Sequence, residues 1–169
     1  MASYTAIASR IGPEGTADKL ALMEAYAHRW ARDPRVQAAA RQITSRCSSR
    51  SDDCVQAIEA HCARLPYRLE PDDVIRDPLD TLALGGDCDD FSVLVCALCL
   101  AIGIPARPQA VTDPDGVIFH VRALVGLPPA APHLCYAIDP VFWSERAWNL
   151  HGYQCALDPR QLVPVPGSR

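Results

Sequence analysis

Hydrophobic residues in the first third of the chain recur at helical spacing and predict three amphipathic helices. They cover residues 16 to about 33, 36 to about 47, and 51 to about 64. Each is preceded or opened by a residue whose side chain can accept hydrogen bonds from the helix N-terminus. These predicted N-caps are Thr16, Asp33 and Ser51, and the residues of the third helix that should face inward are Val55, Ile58 and Cys62.

The middle of the chain contains a segment rich in proline and acidic residues, followed by an apolar run. Residues 66–83 hold three prolines and five acidic residues, which predict an irregular surface segment. The following run, "GGDCDDFSVLVCALCLAIG", is apolar on nearly all sides. It predicts a buried helix from about Cys88 to Ile102, ending at Gly103.

Alternation of apolar and polar residues in the last third predicts three antiparallel strands. "PARPQAVT" and "VIFHVRALVG" are joined by the turn "DPDG", and "HLCYAIDPVF" forms the third strand. The proline-rich end, "LDPRQLVPVPGSR", predicts an extended or loose tail. Helices followed by a central helix and a run of strands predict the α+β class, with that helix packed on the sheet.

Composition narrows the class of protein. A length of 169 residues fits one domain, and a net charge of −4 gives no reason to expect nucleic acid binding. No apolar run approaches the length of a membrane span, and the first residues lack the pattern of a secretory signal. The eight cysteines are therefore expected to be mostly free thiols in a reducing, cytoplasmic setting. Lys19 is the only lysine, which is typical of coding bias, or alternatively of selection against self-modification.

Cys88 is the cysteine with the most unusual surroundings. Asp87, Asp89 and Asp90 should raise the pKa of its thiol, whereas a position in the first turn of a helix should lower it. The carboxylates need not point at the sulfur, because Asp87 can be the N-cap and Asp90 can complete a capping box. The two glycines just before would let the backbone turn tightly and a substrate approach closely.

A nucleophilic cysteine requires a base and a group that orients the base. His120 lies within the strand pattern "VIFHVRALV", where its side chain should point away from those of Phe119 and Val121. Asp139 ends the next predicted strand, so adjacent antiparallel strands could bring it within hydrogen-bond distance of His120. Taken singly, each residue has a structural explanation, as a strand histidine and a turn aspartate.

Together, "GGDCDDFSVLVCALCLAIGIPAR", "FHVRALV" and "YAIDPV" resemble the transglutaminase-like superfamily, which shares its fold with papain-like cysteine proteases. The resemblance covers roughly residues 58–143 and is similar to small members from bacteria and their prophages. The helices of residues 16–64 lie mostly outside the part that the resemblance explains. We predict a transglutaminase-like core over residues 51–158, an N-terminal helical extension over 1–50 packed on it, and a proline-rich tail over 159–169. The resemblance assigns Cys88 as nucleophile, His120 as general base and Asp139 as the orienting group.

The activity that the resemblance implies is attack of the Cys88 thiolate on an amide of a protein or peptide, followed by a thioester. Water would then complete peptide hydrolysis or deamidation, and an amine would complete transglutamination. The Cys88 backbone N–H is the expected oxyanion donor, and Tyr67 is one candidate for a second donor. Neither a cofactor nor a metal is required.

The same sequence also allows other functions. "DCDD" could bind a metal or serve an aspartyl phosphotransferase, although zinc spacing and an apolar strand entering the motif are missing. Cys96 and Cys99 form a CxxC pair but should be buried, inert thiols. The thiols of Cys47, Cys54 and Cys62 could form a disulfide or a sensor.

The main rival to an enzyme is a structural or adaptor protein on the same fold, such as a component of a phage virion. The N-terminal helices and the tail would then mediate assembly with a protein partner.

Overall fold

Helices and two antiparallel sheets make up the fold, as the α+β prediction required. The computed structural model describes residues 4–6, 13–48, 50–69, 74–112 and 118–142. The helices are α1 (Pro13–Trp30), α2 (Pro34–Ile43), α3 (Ser51–Cys62), α4 (Pro78–Leu84) and α5 (Cys88–Ala101). The strands are β1 (Tyr4–Ala6), β2 (Val74–Arg76), β3 (Ala106–Thr112), β4 (Ile118–Leu127) and β5 (Leu134–Ile138).

Helix α5 lies at the centre of the molecule. Every residue from Asp89 to Cys99 is buried, because the helix packs on β3 and β4 and is surrounded by α1 to α4. A helix that is apolar all round can only be stable in such a position. Helices α1 and α2 contribute Met23 and Val36 to the same hydrophobic core, so they are integral to the packing around α5.

The sheet of β3, β4 and β5 has β4 in the middle, and both pairings are antiparallel. Ala123 on β4 lies opposite Ile138 on β5, and His120 lies opposite Val111 on β3. The three predicted strands are therefore present. The predicted turn at residues 113–116 and the tail at 159–169 lie outside the described residues.

Two of the three predicted N-caps are wrong. Helix α1 begins at Pro13, so Thr16 lies inside it, and proline suits a first turn because it has no N–H to satisfy. Ser51 is the first helical residue of α3, whose N-cap is Arg50. The Asp33 cap is confirmed, since its carboxylate accepts from the Arg35 N–H at 2.8 Å.

The irregular surface segment predicted for residues 66–83 is confirmed for residues 66–69, which are exposed and lie outside the helices and strands, and is wrong for residues 74–83. Strand β2 pairs with β1, and α4 follows it with proline in its first turn. Ile75, Arg76, Asp77, Pro78 and Thr81 are buried. Charge did not keep Asp77 at the surface because the Tyr26 hydroxyl of α1 donates to its carboxylate. A satisfied polar group can be buried where an unsatisfied one cannot.

Among the described helices, none combines the length and apolarity needed to cross a membrane.

Candidate active site

Two glycines set the course of the chain into α5. Gly85 has φ +80°, a conformation that other residues rarely adopt, and a Cβ there would lie 1.9 Å from the Pro66 oxygen. Gly86 accepts from the Arg68 N–H at 2.8 Å and donates to Pro66 at 3.3 Å. The glycines thus hold the segment around Tyr67 directly beside the start of α5.

The predicted capping box is present at the N-terminus of α5. The Asp87 carboxylate accepts from the N–H groups of Asp89 and Asp90 at 3.0 and 3.3 Å. In return, Asp90 accepts from the Asp87 N–H at 3.2 Å and also from the Arg76 N–H at 2.6 Å. Asp90 is 0% exposed, and Gly86 makes room for it, since a Cβ there would lie 2.4 Å from its Oδ2.

Burial raises the pKa values of these carboxyl groups. It raises the pKa of Asp87 to about 6, with a further contribution from the charges of Asp90 and Asp89. It also raises the pKa of Asp90, although the N–H donors of Arg76 and Asp87 act in the opposite direction. The helix end is therefore held by carboxyl groups that lose their protons less readily than usual.

His120 and Asp139 meet on one face of the sheet. Extending the β4–β5 pairing by one residue places Asp139 across from Arg122, and His120 is a diagonal neighbour on the same face. His120 Nε2 lies 2.6 Å from Asp139 Oδ2, and the imidazole is 7% exposed. Glu59 of α3 accepts from the Asp139 N–H at 3.3 Å and so fixes the end of β5 from outside the sheet.

The Cys88 sulfur lies against the same strand. The backbone N–H of Val121, the residue after His120, donates to it. On the other side, Cys88 Sγ lies 3.7 Å from Asp89 Oδ1. Burial, followed by the charge of Asp89, raises the pKa of the Cys88 thiol to about 12. Of the two effects that compete at this helix end, burial and negative charge therefore prevail.

Tyr67 is 48% exposed and borders the site. Burial raises the pKa of its phenol, and the charges of Cys88, Asp87, Asp89 and Asp139 raise it further. The hydroxyl is thus within electrostatic range of both the thiol and the carboxylate behind His120.

Two charged residues near the site were not predicted from the sequence. Lys19 of α1 lies 2.5 Å from Asp89 through its Nζ, and Glu59 contacts the backbone of Asp139. The sequence marks both residues as unusual without indicating their partners. Lys19 is the only lysine, and Glu59 follows Val55 by one helical turn, on the buried face of α3.

The remaining cysteines of the described residues fall into two groups, and Cys88 shares its intermediate exposure with one of them: Cys47, Cys54 and Cys135. Cys62, Cys96 and Cys99 are fully buried, and burial raises the pKa of Cys99 to about 12. No disulfide is present among the described cysteines, so Cys47 and Cys54 are both free thiols. Within the same part of the chain, no three His, Cys, Asp or Glu residues are grouped as metal ligands.

The sequence profile of the transglutaminase-like superfamily matches residues 37–130, which is more than half of the chain. The chain belongs to the transglutaminase-like superfamily. The match begins within α2, includes Cys88 and His120, and ends before Asp139. No curated protein sequence matches the chain significantly.

At least one solved structure shares the fold of this superfamily member. A candidate protease from Parabacteroides distasonis superposes with a TM-score of 0.51 at 18% identity, over 68% of this chain and 27% of its own. The periplasmic domain of TgpA from Pseudomonas aeruginosa, bound to ethylmercury, gives a TM-score of 0.49 at 19% identity, over 73% of this chain and 51% of its own. This chain therefore spans about a quarter and about half of these two structures.

Proposed function

We propose that the protein is a cysteine-dependent amide hydrolase or acyltransferase in which Cys88 is the nucleophile, His120 the base and Asp139 its orienting group. One observation carries the proposal. An imidazole held at 2.6 Å by a carboxylate lies next in sequence to the residue whose N–H contacts the Cys88 sulfur. A thiol, a base and an orienting group in this relation are what nucleophilic catalysis requires.

The chemistry begins from a protonated thiol, because the pKa of Cys88 lies near 12. His120 shares Nε2 with Asp139, so Nδ1 is the ring nitrogen that accepts the thiol proton as the sulfur attacks. Asp139 stabilises the imidazolium that forms, and His120 then gives the proton to the departing amine.

The tetrahedral intermediate carries a negative oxygen that requires hydrogen-bond donors. The Cys88 N–H lies at the first residue of α5, where helix N–H groups favour an anion. The Tyr67 hydroxyl supplies the second hydrogen bond in this proposal. Collapse of the intermediate leaves a thioester on Cys88, and attack by water or by an amine completes hydrolysis or transfer.

The proposed substrate is an amide of a protein or peptide, either a backbone bond or a glutamine side chain. Glutamine-containing casein, incubated with a biotinylated alkylamine, separates the three outcomes in one reaction. New peptide termini report peptidase activity, ammonia without label reports deamidation, and biotin incorporation reports transglutamination. We expect one of these products with the native chain.

The deciding comparison is Cys88→Ala against Cys135→Ala. Cys135 is a half-buried free thiol on β5 and plays no part in the proposed mechanism. Cys88→Ala should lower the product rate by about 10³-fold or more with little loss of stability, whereas Cys135→Ala should remain active. Equal product rates in the native chain and Cys88→Ala would refute the enzyme.

One observation favours the non-catalytic structural or adaptor protein. Cys88 contacts Asp89, and a half-buried thiol whose pKa is raised to about 12 is a weak nucleophile without its base. Iodoacetamide at neutral pH distinguishes the two functions. Selective modification of Cys88 supports the enzyme, and uniformly slow modification of all the thiols supports the adaptor.

A further inference from the structure

The only lysine of the chain lies beside the proposed nucleophile. Lys19 projects from α1 and contacts Asp89 Oδ2 at 2.5 Å, with the side chains 16% and 9% exposed. The other oxygen of the same carboxylate, Oδ1, lies 3.7 Å from Cys88 Sγ. A lysine, a carboxylate and the thiol therefore form a continuous series from α1 to the N-terminus of α5.

The position of this ion pair is uncommon for a lysine, which is normally well solvated. Most surface ion pairs contribute little, but a pair removed from water interacts more strongly because solvent screens it less. Asp89 is not one of the carboxylates that cap α5, since those are Asp87 and Asp90. Its contacts are with Lys19 and the thiol, so the capping of the helix does not explain it.

We propose that Lys19 is a positioning residue that, by pairing with Asp89, controls how readily the neighbouring Cys88 thiol loses its proton. With Lys19 in place, the charge of Asp89 is balanced and its carboxylate is drawn towards α1. Without Lys19, an uncompensated negative charge would lie next to the sulfur and disfavour the thiolate. The proposal deepens the proposed function, because it assigns regulation of the same nucleophile.

Other charged and titratable groups around the thiol remain constant in the test. Asp87 belongs to the same helix, Tyr67 approaches from the segment before β2, and His120 and Asp139 lie on the sheet side. None of them is altered in the variants, so a change in the thiol can be assigned to the Lys19–Asp89 pair.

The experiment measures the rate of iodoacetamide modification at Cys88, peptide by peptide, between pH 6 and 10 in the native chain. The variants are Lys19→Met, Lys19→Arg, Asp89→Asn and the double variant Lys19→Met/Asp89→Asn. Cys135 in the same samples is the internal reference, and its rate should not change. Thermal unfolding identifies any variant that fails to fold.

We expect Lys19→Met to slow modification of Cys88 at neutral pH by about tenfold, equivalent to about one pH unit. Asp89→Asn should accelerate it by a similar factor, and Lys19→Arg should resemble the native chain. When Asp89→Asn is already present, adding Lys19→Met should change the Cys88 modification rate by less than about half as much as Lys19→Met changes it in the native chain. If Lys19→Met alone does not fold, the double variant, which contains neither charge, and Asp89→Asn are each compared with the native chain, and an unchanged Cys88 rate in both overturns the proposal.

The proposal is overturned if Lys19→Met leaves the Cys88 rate unchanged, or if its effect is equally large without the Asp89 charge. Alkylation does not depend on turnover, so the outcome is separate from that of the proposed function. A shifted Cys88 rate without any amide cleavage would support the role of Lys19 and refute the enzyme. Amide cleavage that depends on Cys88, together with an unchanged Cys88 modification rate in Lys19→Met, would support the enzyme and refute the role of Lys19.

Discussion

Carboxylates lie on two sides of the Cys88 thiol, with opposite consequences. On the sheet side, Asp139 lies 2.6 Å from the His120 imidazole and, in the proposed mechanism, orients it. On the helix side, Asp89 lies near the sulfur itself, and its charge disfavours the thiolate. The comparison shows that the role of a carboxylate near a nucleophile depends on which group it contacts.

The carboxylates on the helix side also differ from one another in the groups that they contact. Asp87 and Asp90 satisfy backbone N–H groups at the start of α5, and Asp90 also holds β2 through Arg76. Both carboxylates are engaged by backbone N–H groups, so they hold the end of the helix that carries Cys88. Replacing each carboxylate in turn should therefore affect catalysis, folding or thiol acidity separately.

The largest expected effect is on catalysis at Asp139. Asp139→Asn should lower kcat by about 10²–10⁴-fold, because a neutral amide cannot stabilise the His120 imidazolium and fixes the wrong tautomer. Steady-state kinetics with glutamine-containing casein measures the loss. Asp52→Asn, which alters a surface carboxylate on α3, should leave kcat within about twofold. A fully active Asp139→Asn would show that the carboxylate on the sheet side has no role in catalysis.

The next effect is on folding at Asp90. Asp90→Ala removes the acceptor of two N–H groups, at 2.6 and 3.2 Å, in a position with no solvent exposure. Leaving these donors unpaired should reduce the free energy of unfolding by about 2–5 kcal/mol. Urea titration followed by circular dichroism measures the change. Asp90→Asn keeps one acceptor oxygen and should lose less, so equal losses would contradict this explanation.

The smallest effect is a pH dependence at Asp87. Its pKa in the folded chain is about 6, above the ordinary 3.8, so the folded protein binds more protons than the unfolded chain between these values. The stability this provides is full below about pH 4 and is lost as the pH rises through about 6. Allowing for partial exposure, the loss is about 1 kcal/mol.

Asp87→Asn preserves the cap but cannot titrate, so the decline in stability between pH 4 and 6.5 should become smaller. Urea midpoints across that range provide the measurement. Asp33 is a matched N-cap with the opposite shift, since its side-chain hydrogen bond with Arg35 lowers its pKa to about 2. Asp33→Asn should leave the slope above pH 4 unchanged. An unaltered slope in Asp87→Asn would exclude Asp87 as its source.

Much of the scaffold could be predicted from local sequence alone. The capping box at Asp87 and Asp90 depends on residues three apart, and the buried helix that follows depends on an uninterrupted apolar run. The meeting of His120 with Asp139 followed from strand alternation and from the adjacency of consecutive strands. These features are local or involve neighbouring elements, so pattern and spacing suffice to predict them.

The tertiary structure decided what distant charged residues contact. Residues 66–83 were predicted to be exposed because their charges are visible in the sequence, whereas the partners that allow their burial are not. Lys19 is separated from Asp89 by 70 positions, and nothing in the local pattern of either residue specifies the other. The sequence determined the helix that carries the thiol. Only the packing of α1 against α5 decided that Lys19 pairs with the carboxylate beside that thiol, because electrostatic contacts depend on distance in space.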